Sequence, residues 1–245
     1  LIPNNENKDK VSNYSFDFDG VDDSVSLSSS VNLGINSTIS FWIKRGRVAT
    51  EEVWLGESTY QYFYSLIITS TRALAFRIGT VYVIWDSTTV KNIFNNTNSW
   101  VNVCVVRSGN SVELFLNGAS MGVKIGVGSL IDTMFDRIGD RYSGARTLAK
   151  FDEVAGWNTN TINPLDIYNG GIPTTLPSGA VVHYKMGEEA TFSGGVWTVP
   201  DAVGSNTGTS ANMTIEDRIG EAPNSNNNAV SLNMDEVDRV TDVPT

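Results

Sequence analysis

SWVNVCVVRSGNSVELFLNG, residues 99–118, decides the fold class. Val101, Val103 and Val105 alternate with Asn102, Cys104 and Val106; Ser108-Gly109-Asn110 interrupts; Val112, Leu114 and Leu116 then alternate back. A period of two places alternate side chains on one face, the pattern of a half-buried strand. Asn117-Gly118 follows, a pair that accepts the positive φ angles of a two-residue hairpin turn. The stretch therefore encodes two antiparallel strands and the turn into a third, ASMGVKI.

The same alternation recurs on both sides. TISFWIK (38–44) sets Ile39, Phe41 and Ile43 on one face, and YFYSLIIT (62–69), ALAFRIG (73–79), TVYVIWD (80–86) and LAKFDEVAGW (148–157) read as further strands. Short strands between Gly- and Asn-rich turns predict an all-β sandwich. One short helix is predicted in NPLDIYNGG (163–171), with Asn163 as N-cap, Pro164 at the first helical position and Gly170 as the stop.

FDFDGVDDSVSL (16–27) reads as a hairpin with an acidic tip. Phe16 and Phe18 oppose Asp17 and Asp19 on one arm, Val25 and Leu27 oppose serines on the other, and Asp19-Gly20 allows the reversal. The tip offers Asp19, Asp22 and Asp23, and Ca²⁺ takes about 6–8 oxygens from such turns. The alternative is a solvated turn with no ligand.

Residues 1–12 read as a flexible arm and 13–171 as the main domain. Pro173 and Pro177 punctuate a linker, and VVHYKMGEE (181–189) reads as one more strand. Within 172–245 the Gly, Ser and Asn content leaves too few apolar positions for a separate core. This extension is expected to be irregular and to pack on the main domain or on a neighbouring chain.

The net charge of −10 argues against nucleic acid, whose phosphates need a basic surface. No apolar run approaches the roughly 20 residues of a membrane helix, so no membrane insertion is expected. Cys104 is the only cysteine, which excludes a disulfide within the chain, and its place in an alternating strand predicts a buried thiol. His183 is the only histidine and stands in VVHYK without a nucleophile motif beside it. No phosphate-binding loop, HExxH or GxGxxG motif occurs.

YSFDFDGVDDSVSLSSSVNLGINSTISFWIKR, NTNSWVNVCVVRSGNSVELFLNGASMG and FDEVAGWNTNTINPLDIYNGG together resemble, in order, the laminin-G-like domains of the concanavalin A-like lectin/glucanase superfamily. The resemblance covers about residues 13–171 and implies a jelly-roll β-sandwich of two antiparallel sheets. PSGAVVHYKMGEEATFSGGVWTVPDAVGSNTGTSANMT resembles the start of a second such domain, and the layout is similar to structural proteins of marine tailed phages.

Glucanases of this superfamily carry acids spaced E-x-D-x-E on one strand, and neither EVD (236–238) nor EDRIGE (216–221) completes that spacing. No enzyme activity is therefore expected. The resemblance places the first and last strands side by side, which would let Asp152 join Asp19, Asp22 and Asp23 around a structural Ca²⁺. Sugar sites on this fold use aromatics, and Tyr60, Tyr62, Trp85 and Tyr142 are the candidates, although such rings can equally serve a core or an interface. Two roles follow. One is a virion structural or attachment protein, a head decoration or tail-fibre component contacting other virion proteins, itself as a homo-oligomer, or host glycans. The other is an extracellular or cell-surface carbohydrate-binding module, with or without Ca²⁺.

Overall fold

The computed structural model describes residues 11–48, 50–59, 64–128, 131–141 and 146–223. The chain enters at β1 (Ser15–Asp19) and continues as β2 (Ser24–Gly34), β3 (Asn36–Arg45) and β4 (Glu52–Gly56). A meander of β5 (Tyr64–Ile68), β6 (Leu74–Ile78) and β7 (Val81–Trp85) leads into helix α1 (Thr88–Asn95). The decisive stretch forms β8 (Val101–Ser108), β9 (Ser111–Leu116) and the turn into β10 (Ala119–Ile125). After β11 (Thr133–Ile138) and β12 (Leu148–Trp157) comes the predicted short helix, α2 (Pro164–Tyr168), capped by the Asn163 side chain. The remainder carries β13 (Val182–Tyr184), β14 (Thr191–Ser193), β15 (Val196–Val199), β16 (Gly208–Ala211) and β17 (Arg218–Ile219).

Two antiparallel sheets result, the jelly-roll sandwich expected. One runs β10-β9-β8-β3-β12-β1-β17, with β13 also on β12; the other runs β14-β15-β16-β2-β11-β4-β5-β6-β7. Alternate residues of both sheets meet in one core: Phe16, Phe18, Phe41 and Val103 from the first, Val25, Leu55, Leu66 and Phe76 from the second. Aromatic rings pack edge to face in this core, with Phe18 5.2 Å from Phe151 and Trp54 5.2 Å from Phe94. Each such buried ring contributes about 1.5–3 kcal/mol by leaving water. Cys104 is buried as expected, and burial raises its thiol pKa.

Three expectations are corrected. The acidic stretch is not a hairpin: β1 pairs with β12 and β17, while β2 pairs with β11 and β16. Both arms alternate correctly, but Phe16 and Phe18 enter the core from one sheet and Val25 and Leu27 from the other. The tip is a corner joining the sheets. Helix α1 was not foreseen; Ser87 caps it and Val90 and Phe94 bury its inner face. The extension is not irregular over 182–219. It adds β14, β15 and β16 beside β2, and β13 and β17 to the other sheet. Several of its few apolar residues, Tyr184, Trp197, Val199 and Met213 among them, enter the shared core. A strand needs only one or two inward residues when the rest of the core is already supplied.

Candidate functional site

The three tip carboxylates do converge: an oxygen from each of Asp19, Asp22 and Asp23 lies within 4.8 Å of the others. The turn itself arranges them. Asp19 Oδ1 accepts from Val21 N at 2.7 Å, and buried Asp23 accepts from Asp19 N at 2.9 Å. Burial, first, and the neighbouring acids raise the Asp23 carboxyl pKa to about 6 despite that bond. Gly20 takes φ +76° here, with Arg47 and Leu148 packed against it.

Asp152 does not join them. β1 and β12 do lie side by side, but Asp19 is opposite Leu148. Four residues of strand, about 13 Å, separate Leu148 from Asp152. Asp152 belongs instead to a second acidic group, made where β12 slips against β3 between Asp152 and Ala155. On the other side of β12, β1 pairs only as far as Phe151 and β13 begins at Val154, so this bulge faces a gap. Ser12 donates to Asp152, and the backbone N–H groups of Asn13 and Tyr14 donate to Glu188. His183 Nε2 lies 2.5 Å from Glu153 Oε2. Glu153 takes φ +52°, and its Oε1 and Glu188 Oε2 are buried without a hydrogen-bond partner among the described residues. Desolvation raises the pKa of both Asp152 and Glu188, with the neighbouring carboxylates adding to it. Among the described residues no Lys or Arg forms an ion pair with Asp152, Glu153 or Glu188.

A third region has different chemistry. A groove of about 500 Å³ runs between α1 and the β9–β10 turn, lined by Thr89, Asn92, Ile93, Asn96, Ser99, Trp100, Val101 and Asn117. Positions 89, 92, 93 and 96 fall at the three- and four-residue spacings that share one helical face. Burying Val90 and Phe94 turns that face outward. Asn96 shapes the loop that follows, accepting from Asn98 N at 2.9 Å and donating to Ser99 Oγ at 2.8 Å. Asn117 enters from the hairpin turn, where it and Gly118 take φ +51° and +74°, and its Oδ1 accepts from Asn102 N. Trp100 also lines the groove; it is buried, and among the described residues its indole N–H has no partner. Among the described residues no ionisable side chain lines the groove.

The aromatic candidates fare differently. Tyr60, Tyr62 and Tyr142 lie outside the described residues. Trp85 is corrected to a core residue: it is buried, and its indole N–H donates to the Gly122 carbonyl at 2.7 Å. The amide groove was missed. Its signal was the Ser87 cap followed by the Val90–Phe94 pair, obscured by the β-branched residues Thr88, Thr89 and Val90.

The family model for the concanavalin A-like lectin/glucanases superfamily matches residues 19–167, more than half of the chain. None of the curated proteins matches the sequence. Among solved structures, a candidate carbohydrate-binding protein from Bacteroides ovatus aligns with a TM-score of 0.64 at 16% identity. The alignment covers 86% of this chain but 61% of that one, so the chain spans less than two thirds of that protein. The native heptameric SAP-like pentraxin from Limulus polyphemus gives 0.54 at 14% identity, over 80% and 94% of the two chains. At these identities the likeness is one of fold.

Proposed function

Because the chain belongs to the concanavalin A-like lectin/glucanases superfamily, we propose that it is a non-catalytic carbohydrate-binding module whose ligand lies in the groove between α1 and the β9–β10 turn. The carrying observation is the groove's composition: the amides of Asn92, Asn96 and Asn117 and the hydroxyls of Thr89 and Ser99 beside the aromatic Trp100. Sugar hydroxyls both donate and accept, and Asn side chains offer both complements. Glycoside hydrolysis needs two carboxyl groups flanking the bond, and none of the described residues brings one to this groove. A virion setting would decide where such a module is carried, and the groove chemistry would serve host attachment equally well. The test is a glycan array followed by titration of the best ligand into wild type and Asn92→Ala. Asn92 is exposed on α1, so the variant should fold normally and bind about tenfold more weakly, the loss of one or two hydrogen bonds. No glycan bound, or equal affinity for both proteins, would remove the reading.

A second reading concerns the tip. The convergence of Asp19, Asp22 and Asp23 fits a weak structural Ca²⁺ site, in which three carboxylates supply part of the usual oxygen shell and water the rest. The raised Asp23 pKa makes protons compete with the ion. Calorimetric Ca²⁺ affinity should therefore rise as pH increases through about 6. A pH-independent heat, or none, would argue for a turn alone.

A further inference from the structure

Among the described residues four strands end the two sheets, β10 and β17 in one and β14 and β7 in the other. An open edge is a template for another strand, and folded proteins guard it with short strands, charges or bulges. β14 and β17 are three and two residues long. β10 carries Lys124 and slips register between Ser120 and Val123. β7 has none of these guards: Val81–Trp85 is free of charge and proline and pairs with β6 without a slip. Its open side is apolar as well. Val81, Tyr82 and Ile84 are 37%, 46% and 43% exposed, and Trp85 donates its indole N–H to Gly122 in the β10 bulge, which brings exposed Val123 to the same flank.

The backbone of β7 fits a copy of itself. Ile78 opposite Val81 closes the β6–β7 hairpin around Gly79-Thr80. Opposed residues alternate between bonded and non-bonded pairs, so Val81, Val83 and Trp85 direct their N–H and C=O groups at β6, and Tyr82 and Ile84 direct theirs at the open edge. We infer that β7 is a homodimer interface, in which a second copy of this chain adds its own β7 antiparallel across a two-fold axis at Val83. That axis sets Tyr82 against the second copy's Ile84, and Ile84 against its Tyr82, so the outward backbone groups of each copy meet those of the other. Charge is complementary too. Arg77 lies over the Tyr82 ring, 4.7 Å from its centre, and its Nε donates to the Gly79 carbonyl at 2.9 Å, which carries the guanidinium toward the hairpin turn. Asp86 follows β7, exposed and in no ion pair among the described residues, and the axis sets the second copy's Asp86 beside that turn. The contact is small beside the roughly 20–30 residues a side of a standard interface, so the dimer forms only as concentration rises. It stands independently of the groove reading.

The experiment is sedimentation equilibrium of the full chain over a wide concentration range, for wild type, Ile84→Lys and Asp86→Arg, with circular dichroism to check that each variant folds. Both substituted side chains are exposed. Wild type should pass from monomer to dimer. Ile84→Lys puts two unpaired charges into the interface, one from each copy, and should raise the dissociation constant by about tenfold or more; Asp86→Arg should raise it several-fold. The register is read with Val83→Cys, since two residues facing each other in a non-bonded pair lie within reach of a disulfide and the native Cys104 is buried. Air oxidation should give a covalent dimer from Val83→Cys and none from Val21→Cys, an exposed position in the acidic corner. A dimer that Ile84→Lys leaves unchanged, or cross-linking no better at Val83 than at Val21, overturns the interface. So does a wild type that stays monomeric at every concentration, which would leave the edge to a strand of a different protein.

Discussion

The acidic corner between β1 and β2 and the acidic gap along β12 use the same residue types for different ends. At the corner, three acids come from five consecutive residues, and two of them accept backbone N–H bonds of the turn they build. Asp19 and Asp22 remain exposed, so water screens what repulsion is left. In the gap, Asp152, Glu153 and Glu188 are drawn together by topology, and two carboxylate oxygens are buried with nothing among the described residues to accept from. Turn geometry solves the electrostatics of the first. In the second the unfavourable charge remains in the folded state, where protons are the simplest relief.

The sharpest way to break the corner is steric. Gly20 has φ +76°, and a Cβ there would lie 2.8 Å from Leu148 Cβ and 3.0 Å from Arg47 Nη1. Gly20→Ala therefore combines a left-handed backbone with overpacking and should cost about 2–4 kcal/mol. For a domain of this size the melting midpoint should fall roughly 5–15 °C. An unchanged midpoint would mean that the corner is not seated against β12 as described.

The gap is tested through protons, in EDTA. Asp152 and Glu188 have raised pKa values in the folded protein, so the folded state keeps protons that the unfolded chain releases. Their contribution is fully favourable below the unfolded carboxyl values, 3.8 for Asp and 4.5 for Glu, and is lost as pH rises through the folded ones. Asp152→Asn keeps an acceptor for Ser12, gives up the one that Oδ1 offers to Glu153 N, and removes the charge. At pH 8 it should stabilise the protein by about 1–3 kcal/mol and flatten the decline of stability with pH. Asp17 and Asp23, also raised, keep part of the slope. Identical slopes for variant and wild type would show that Asp152 is not the buried charge responsible.

The contrast also explains what could be read from the sequence. Alternation revealed the strands, and Asn117-Gly118 and Asn163-Pro164 marked a hairpin turn and a helix start that stand in the structure. Those signals are local. So is the acidic corner, which is why Asp19, Asp22 and Asp23 were identified together. Its partners were not legible, because a turn between alternating strands looks the same whether the strands pair or diverge into two sheets. Alternation in VYVIW likewise could not say which face is core, and the structure turns Trp85 inward and Tyr82 outward. The gap joins residues 12, 152, 153, 183 and 188, a grouping that only the pairing of β1 and β13 along one side of β12 creates.

The smallest stability effect discriminates most finely between the two acidic regions. Asp22 is exposed, and its backbone N–H donates to Asp19 whatever its own side chain. Asp22→Asn should shift stability by less than about 0.5 kcal/mol. If Ca²⁺ is held at the corner, the same change removes one of three converging carboxylates, and affinity should fall about tenfold. Measured beside Asp152→Asn, the calcium-induced rise in melting midpoint should be lost in the corner variant and kept in the gap variant. The opposite pattern would place the ion along β12, where Glu153 Oε1 and Glu188 Oε2 are already desolvated and unpaired. Burial would then have prepared the stronger cation site, and convergence at an exposed turn would be no more than the geometry of the turn.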